Sequence, residues 1–218
     1  MRQLRDILIL RSSLYRFRRF RNHFSYRIGK GNSIQNKGIM ISTKHHIDGN
    51  NNSLVINRGG CLLDCYVHIM GNNNTIEIGE NAHLDTIQIW IEDNNCQIKI
   101  GDGTFIGDHT HLACTENKSI ISIGSRCMLS SYIQIRTGDS HSLLDSEGNR
   151  INPAKSVYVS DHVWIGEGTK ILKGAKIGKD CVVSTGAIVT KEFAEGLLIG
   201  GIPAKVLKEN ISWNSKRL

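Results

Sequence analysis

Residues 159–189 read VSDHVWIGEGTKILKGAKIGKDCVVSTGAIV. Counting in sixes from Val159 gives Val159, Ile165, Ile171, Ile177, Val183 and Val189, an aliphatic series at a period that neither a helix nor an ordinary strand produces. The position four residues after each of the first five is modest in size: Val163, Thr169, Ala175, Cys181 and Ala187. One large and one small side chain turned inward from each short strand is what a narrow prism of stacked parallel β-coils requires. Ile165-Gly166 and Ile177-Gly178 add a glycine after the rung, where the backbone turns a corner.

The same register continues upstream at Ile123, Leu129 and Ile135, at Ile100, Ile106 and Leu112, and at Ile78 and Leu84. A longer period links these pieces. Ile34, Ile56, Ile78, Ile100 and Ile123 are 22, 22, 22 and 23 residues apart, and Gly49-Asn50-Asn51-Asn52 recurs as Gly71-Asn72-Asn73-Asn74, with Asp93-Asn94-Asn95 one coil later. One coil is therefore three hexapeptides plus a widened corner, and a column of asparagines is expected along one edge. Asparagine tolerates the left-handed backbone of tight turns and hydrogen-bonds between coils, so the column is read as a structural ladder.

Only two prolines and 6% aromatic residues occur in the 218, so the core must be built from aliphatic rungs in one solenoid. No apolar run is long enough to span a bilayer. The first 30 residues lack the apolar stretch and cleavage site of a secretory signal, so the expected location is cytoplasmic. Cys127 and Cys181 sit four residues after a rung, and Cys61 and Cys65 have no ligand-like spacing to other Cys or His residues. Free structural thiols are expected, with no metal and no covalent cysteine intermediate.

The charge is concentrated. Residues 1–30 carry nine Lys or Arg against Asp6 alone, a net of +8, whereas the other 188 residues hold 18 basic and 19 acidic side chains, a net of −1. Leu4, Ile7, Leu8, Leu10, Leu14, Tyr15, Phe17 and Phe20 interleave with these charges at partly helical spacing. Residues 1–27 are expected to be a basic, helical segment that caps the open end of the solenoid, with contact of residues 1–24 to an anionic membrane, at the inner face of the plasma membrane, as an added role. No recognition motif accompanies the charge, and no nucleic-acid partner is expected.

Chemistry is to be sought where the period fails. From Ile135 to Val159 the chain takes 24 residues to return to a rung. The insertion 136–158 is a polar loop carrying His141, Asp139, Asp145 and Glu147, followed at once by His162-Val163-Trp164-Ile165-Gly166.

With these residues in place, the chain resembles the hexapeptide-repeat acyltransferases, most closely their sugar and capsular-polysaccharide O-acetyltransferase branch. The resemblance is strongest from Ile123 to Trp213 and is carried by Asp139-Ser-His-Ser142, Val163-Trp-Ile-Gly166, Ile188-Val-Thr-Lys191 and Gly201-Ile-Pro-Ala-Lys-Val206; upstream of Ile78 only the architecture matches. It implies an all-β, left-handed parallel β-helix over 28–200, with 201–218 forming a short helix and tail. It implies acetyl-CoA as co-substrate, and a homotrimer with sites between neighbouring prisms.

By the same resemblance, His141 corresponds to the catalytic base. A sugar hydroxyl attacks a thioester poorly until a neutral imidazole takes its proton, and an unperturbed imidazole, titrating near ~6.5, suits that task near neutral pH. An orienting acid is expected from Asp139, Asp145 or Glu147, and a backbone N–H is expected to stabilise the oxyanion. Trp164 matches the aromatic wall of the CoA channel, Thr185, Thr190 and Lys191 the stretch along pantetheine and phosphate, and Lys205 and Lys208 the basic residues at the nucleotide end. His109 and Asp139 are assigned to the acceptor; at His109 the galactoside branch has Asn. His111 and His162 are read as structural. The expected activity is O-acetylation of a bacterial surface glycan or its sugar precursor. The alternatives are N-acetylation of an amino sugar nucleotide and a non-catalytic scaffold.

Overall fold

The computed structural model describes residues 24–216. The N-terminal cap and membrane-contact expectations fall on residues 1–23, outside the described residues. The first strand, Tyr26–Ile28, already belongs to the solenoid, so the β-coils begin inside the segment expected to be helical.

Twenty-five short strands form three sheets, the faces of a three-sided parallel solenoid. Face A runs from Tyr26–Ile28 through Gln134–Arg136 to Ile188–Val189, face B from Ser33–Asn36 through Val157–Val159 to Glu192–Phe193, and face C from Ile39–Ile41 through Trp164–Ile165 to Leu198–Gly200. The chain visits A, B and C in turn, so each strand pairs with the one a full coil away. Ile56, Ile78, Ile100, Ile123, Val159 and Ile177 stack in register on face B.

Ile34 is the exception to the expected spacing: it pairs with Leu54, while Asn36 faces Ile56, so the first coil is two residues shorter. The coil length also changes after the insertion. Between Ile56 and Ile78 a coil includes the five-residue strand Tyr66–Met70, whereas from Val159 onward the strands shorten to two or three residues and rungs recur every 18. The prism narrows toward its C-terminal end as the widened asparagine corner is lost.

The rungs are the core. Ile165, Ile171, Ile177, Val183 and Val189 are all buried, and each such aliphatic side chain contributes about 1.5–3 kcal/mol by leaving water. The coils approach so closely at the A–B corner that a Cβ on Gly71, at φ 131°, would lie 1.9 Å from the Asp93 carbonyl oxygen; only glycine fits there. The asparagine ladder is present. Asn50 donates from backbone and amide to Asn72 Oδ1 (2.9 and 3.1 Å), Asn72 to Asn94 (2.9 and 2.8 Å) and Asn94 to Asn117 (2.9 and 3.1 Å). A second, buried column links Asn32, Asn52 and Asn74.

All six cysteines are free thiols, five of them buried. Burial pushes the Cys65 and Cys127 thiols up to about 11, which suppresses the reactive thiolate.

The C-terminal segment departs from expectation. In place of a helix after Pro203, Lys205–Lys208 turns back and pairs antiparallel with Leu198–Gly200, setting Ile199 opposite Val206 and Gly200 opposite Lys205. The last strand of face C offers an open row of backbone donors and acceptors, and covering it satisfies more groups than a helix of a few residues would.

Candidate active site

The insertion between faces A and B is a compact finger. Ile151 N donates to Leu143 O (2.9 Å), Leu144 bridges Arg150, and the Asp145 carboxylate closes the tip by accepting the N–H groups of Glu147 and Asn149, both at 2.9 Å. Those donors, first that of Asn149, hold the Asp145 carboxyl below the usual carboxylate range.

At the base of the finger lies Asn152, only 6% exposed. Its amide nitrogen donates to the carbonyl of His141 (2.8 Å) and to Asp139 Oδ2 (2.9 Å), while its oxygen accepts the N–H of Leu143 (2.7 Å). One side chain thus ties down the base candidate and the residues two positions to either side. Lys173, from the next coil, hydrogen-bonds Asp139 Oδ2 and the Asn152 carbonyl. Arg150 makes a two-pronged ion pair with Glu116 (2.5 and 2.9 Å), and Glu116 also accepts the N–H of Ala154 (3.1 Å). Lys173 depresses the Asp139 carboxyl and Arg150 depresses that of Glu116. The finger is therefore anchored by a fully paired polar network on a rigid coil.

His141 is exposed. Its backbone is fixed while its ring has no hydrogen-bond partner among the described residues, which leaves both ring nitrogens open to an incoming group. None of the three acids considered as its orienting partner contacts it: Asp139 engages Lys173 and Asn152, Asp145 caps the turn, and Glu147 accepts from Asn149 (3.4 Å).

Trp164 stands on face C, 40% exposed, between Met128 and Val182 in register. The Trp213 ring lies 6.1 Å away; it stacks on His162 at 4.5 Å and donates its indole N–H to the His162 carbonyl (2.8 Å). His162 is held by Asp180 (2.6 Å), whose carboxyl it depresses. A cleft of about 450 Å³ opens beside this stack, walled by Phe105, Met128 and Trp213. Lys205 and Lys208 extend the same sheet and are exposed.

Thr185, on the C–A corner, lies against Gly166. Thr190 and Lys191 occupy the A–B corner, the edge that carries the His141 finger, and Lys191 Nζ lies 5.4 Å from the Phe193 ring centre. His109, at the C–A corner, is hydrogen-bonded to Asp108 (2.8 Å) and stacked on Tyr132 at 4.8 Å; Asp108 also accepts the Ser131 hydroxyl. Within one chain, then, the structure joins Trp164 with Lys205 and Lys208, and His141 with Asp139 and the edge of Thr190 and Lys191. It places Trp164 and His109 away from His141.

Sequence reasoning did not find Asn152, Lys173, Arg150 or Glu116. Asn152-Pro153 carries the signature of a turn, but a contact such as Arg150 to Glu116, 34 residues apart, leaves no local mark.

Residues 156–191 match the family described as bacterial transferase hexapeptide (six repeats). The chain is 34% identical over 98 residues to a polysialic acid O-acetyltransferase of Escherichia coli O1:K1 and 36% identical over 101 residues to one of Neisseria meningitidis. These segments cover 44% and 45% of this chain but only 32% and 47% of those proteins. In solved structures it is similar to the polysialic acid O-acetyltransferase OatWY, with 33% identity, a TM-score of 0.84 and coverage of 88% of this chain and 92% of that one. The chain belongs to the hexapeptide-repeat acyltransferases, in their sugar and capsular-polysaccharide branch. The polysialic-acid-specific acetyltransferase NeuO is similar over 88% of this chain and 83% of its own, at 30% identity and a TM-score of 0.78. The fold is the left-handed parallel β-helix of this family.

Proposed function

We propose that this acyltransferase moves an acetyl group from acetyl-CoA to a hydroxyl of a bacterial surface polysaccharide, with a sialic acid polymer as the first acceptor to test. The observation that carries the proposal is the finger: an exposed imidazole on a backbone fixed from three sides by a buried asparagine, in a chain whose relatives over most of its length are polysialic acid O-acetyltransferases. His141 takes the proton of the acceptor hydroxyl as its oxygen attacks the acyl carbonyl carbon; the carbon–sulfur bond breaks and the proton passes to the departing sulfur. Transfer is direct, within a ternary complex.

The residues on face C fit the donor. A half-exposed indole beside an apolar-walled cleft suits an extended pantetheine arm, and Lys205 and Lys208 suit phosphate as point charges. The donor, when bound, supplies an activated thioester. Because Trp164 and His141 stand on different parts of the prism, the reading places each site between subunits of a cyclic trimer, the Trp164 face of one meeting the finger of the next.

The test is free-thiol release from acetyl-CoA with sialic acid polymers, other bacterial glycans and sugar nucleotides, for wild type and His141→Ala at equal trimer content. Hydroxyl-dependent release that falls by a factor of roughly 10²–10⁴ in the variant is expected for loss of a general base. Turnover confined to amino sugars would replace O-transfer with N-transfer, and turnover indifferent to the substitution would remove His141 from the chemistry.

A further inference from the structure

The A–B edge carries more than a structural ladder. At this corner each coil has two exposed or half-exposed asparagines. The inner one (Asn50, Asn72, Asn94, Asn117) is consumed by the inter-coil hydrogen bonds described above. The outer one (Asn51, Asn73, Asn95) takes the left-handed backbone, φ 56°, 57° and 59°, and is exposed.

Backbone geometry alone does not account for the outer column. The other two corners make the same left-handed turn with mixed residues: Asn81, Arg126, His162 and Asp180 at the B–C corner, and Ser42, Asp64, Thr86, His109 and Tyr132 at the C–A corner. Hydrogen bonding does not account for it either. Its one amide contact is a long one, Asn51 Nδ2 to Asn73 Oδ1 at 3.4 Å, and among the described residues the amide nitrogens of Asn73 and Asn95 have no partner.

These amides line a shallow groove of about 630 Å³ that runs from Asn50 to Asn117 and Lys118. Asn117 also lines a second hollow of about 440 Å³, which ends on Arg150 and Pro153 at the base of the His141 finger. The two form one track, with coil after coil adding an amide donor about 4.8 Å further along. The inner ladder holds the track rigid, so binding orders little that was mobile.

We propose that this asparagine track is a binding site for the acceptor polymer: a hydroxyl-rich glycan chain lies along the A–B edge with residues in the track while another of its residues reaches His141. The inference rests on the reading of the chain as a glycan acyltransferase. Exposed amides donate to and accept from sugar hydroxyls and carboxylates alike. Arg150 neutralises Glu116 where the track meets the finger, and Lys118 adds a positive charge beside Asn117.

The experiment uses the full chain and sialic acid oligomers of increasing length. The outer amides are removed together as Asn51→Gly, Asn73→Gly and Asn95→Gly, because glycine keeps the left-handed backbone without strain. Asn81→Gly, the same exchange at the B–C corner, is the control. Binding is measured by calorimetry and transfer by thiol release. For long oligomers, the triple variant is expected to bind roughly tenfold more weakly and to lose kcat/KM in proportion, as for one or two lost hydrogen bonds. The shortest acceptors, whose binding does not reach the track, and the Asn81→Gly protein should behave as wild type.

Equal binding of long oligomers by the triple variant and wild type would overturn the proposal, as would wild-type affinity independent of oligomer length or absent at every length. Length-dependent binding that the triple variant loses, without any acetyl transfer, would keep the track and instead sink the activity assigned to the finger.

Discussion

Asn152 is the residue on which the finger depends. Its amide satisfies the His141 carbonyl, the Asp139 carboxylate and the Leu143 N–H at once, and Asn152→Ala leaves these groups without partners at a cost of about 1–3 kcal/mol. Asn152→Ala is expected to lower kcat roughly 10–100-fold, as a misplaced base does, and to leave the KM for acetyl-CoA unchanged, because the donor face is elsewhere. Steady-state kinetics beside a melting curve checks this; a raised KM with unchanged kcat would place Asn152 in binding. At this scale the sequence yielded the base candidate and the donor residues, because they fall where the repeat breaks or resumes. It concealed Asn152, whose role is set by its burial, and it offered three acids for orienting His141 that the structure commits elsewhere.

At the scale of elements, the solenoid was legible because its period is a packing requirement: every sixth residue must fill the interior. The finger was legible only as an interruption. Its anchoring by Lys173 and Glu116 depends on which coils the fold brings together, and the C-terminal hairpin depends on an open sheet edge that is absent until the sheet exists. The anchoring gives the finger a pH dependence. Asp139 and Glu116 both titrate below their ordinary values when folded. Their stabilisation is therefore fully present above the unfolded values, ~3.9 for Asp and ~4.3 for Glu, and is lost as the pH falls through the lower, folded ones. Carboxyl ¹³C titration should give midpoints below those ordinary values, and Lys173→Ala should move that of Asp139 upward. A midpoint for Asp139 at or above ~3.9 in the intact chain would show that the Lys173 contact does not persist in solution.

At the scale of the whole molecule, the chain is a rigid prism with an imidazole finger on one edge, an indole on one face and an amide track leading to the finger. A prism with a small aliphatic core forms no deep enclosed site of its own, so the chemistry assigned to it needs a neighbour. The sequence indicated that need only through resemblance, since nothing in a repeat shows which faces meet.

Subunit mixing tests this composite site most directly. His141→Ala and Trp164→Ala proteins, each inactive alone, are unfolded together, reassembled in equal amounts and assayed for acetyl transfer, with native mass spectrometry confirming mixed trimers. In a trimer where each site takes its finger from one subunit and its indole from the next, random assembly restores about a quarter of wild-type activity per site. Mixed trimers as inactive as the two parents would contradict the account and return finger and indole to a single chain.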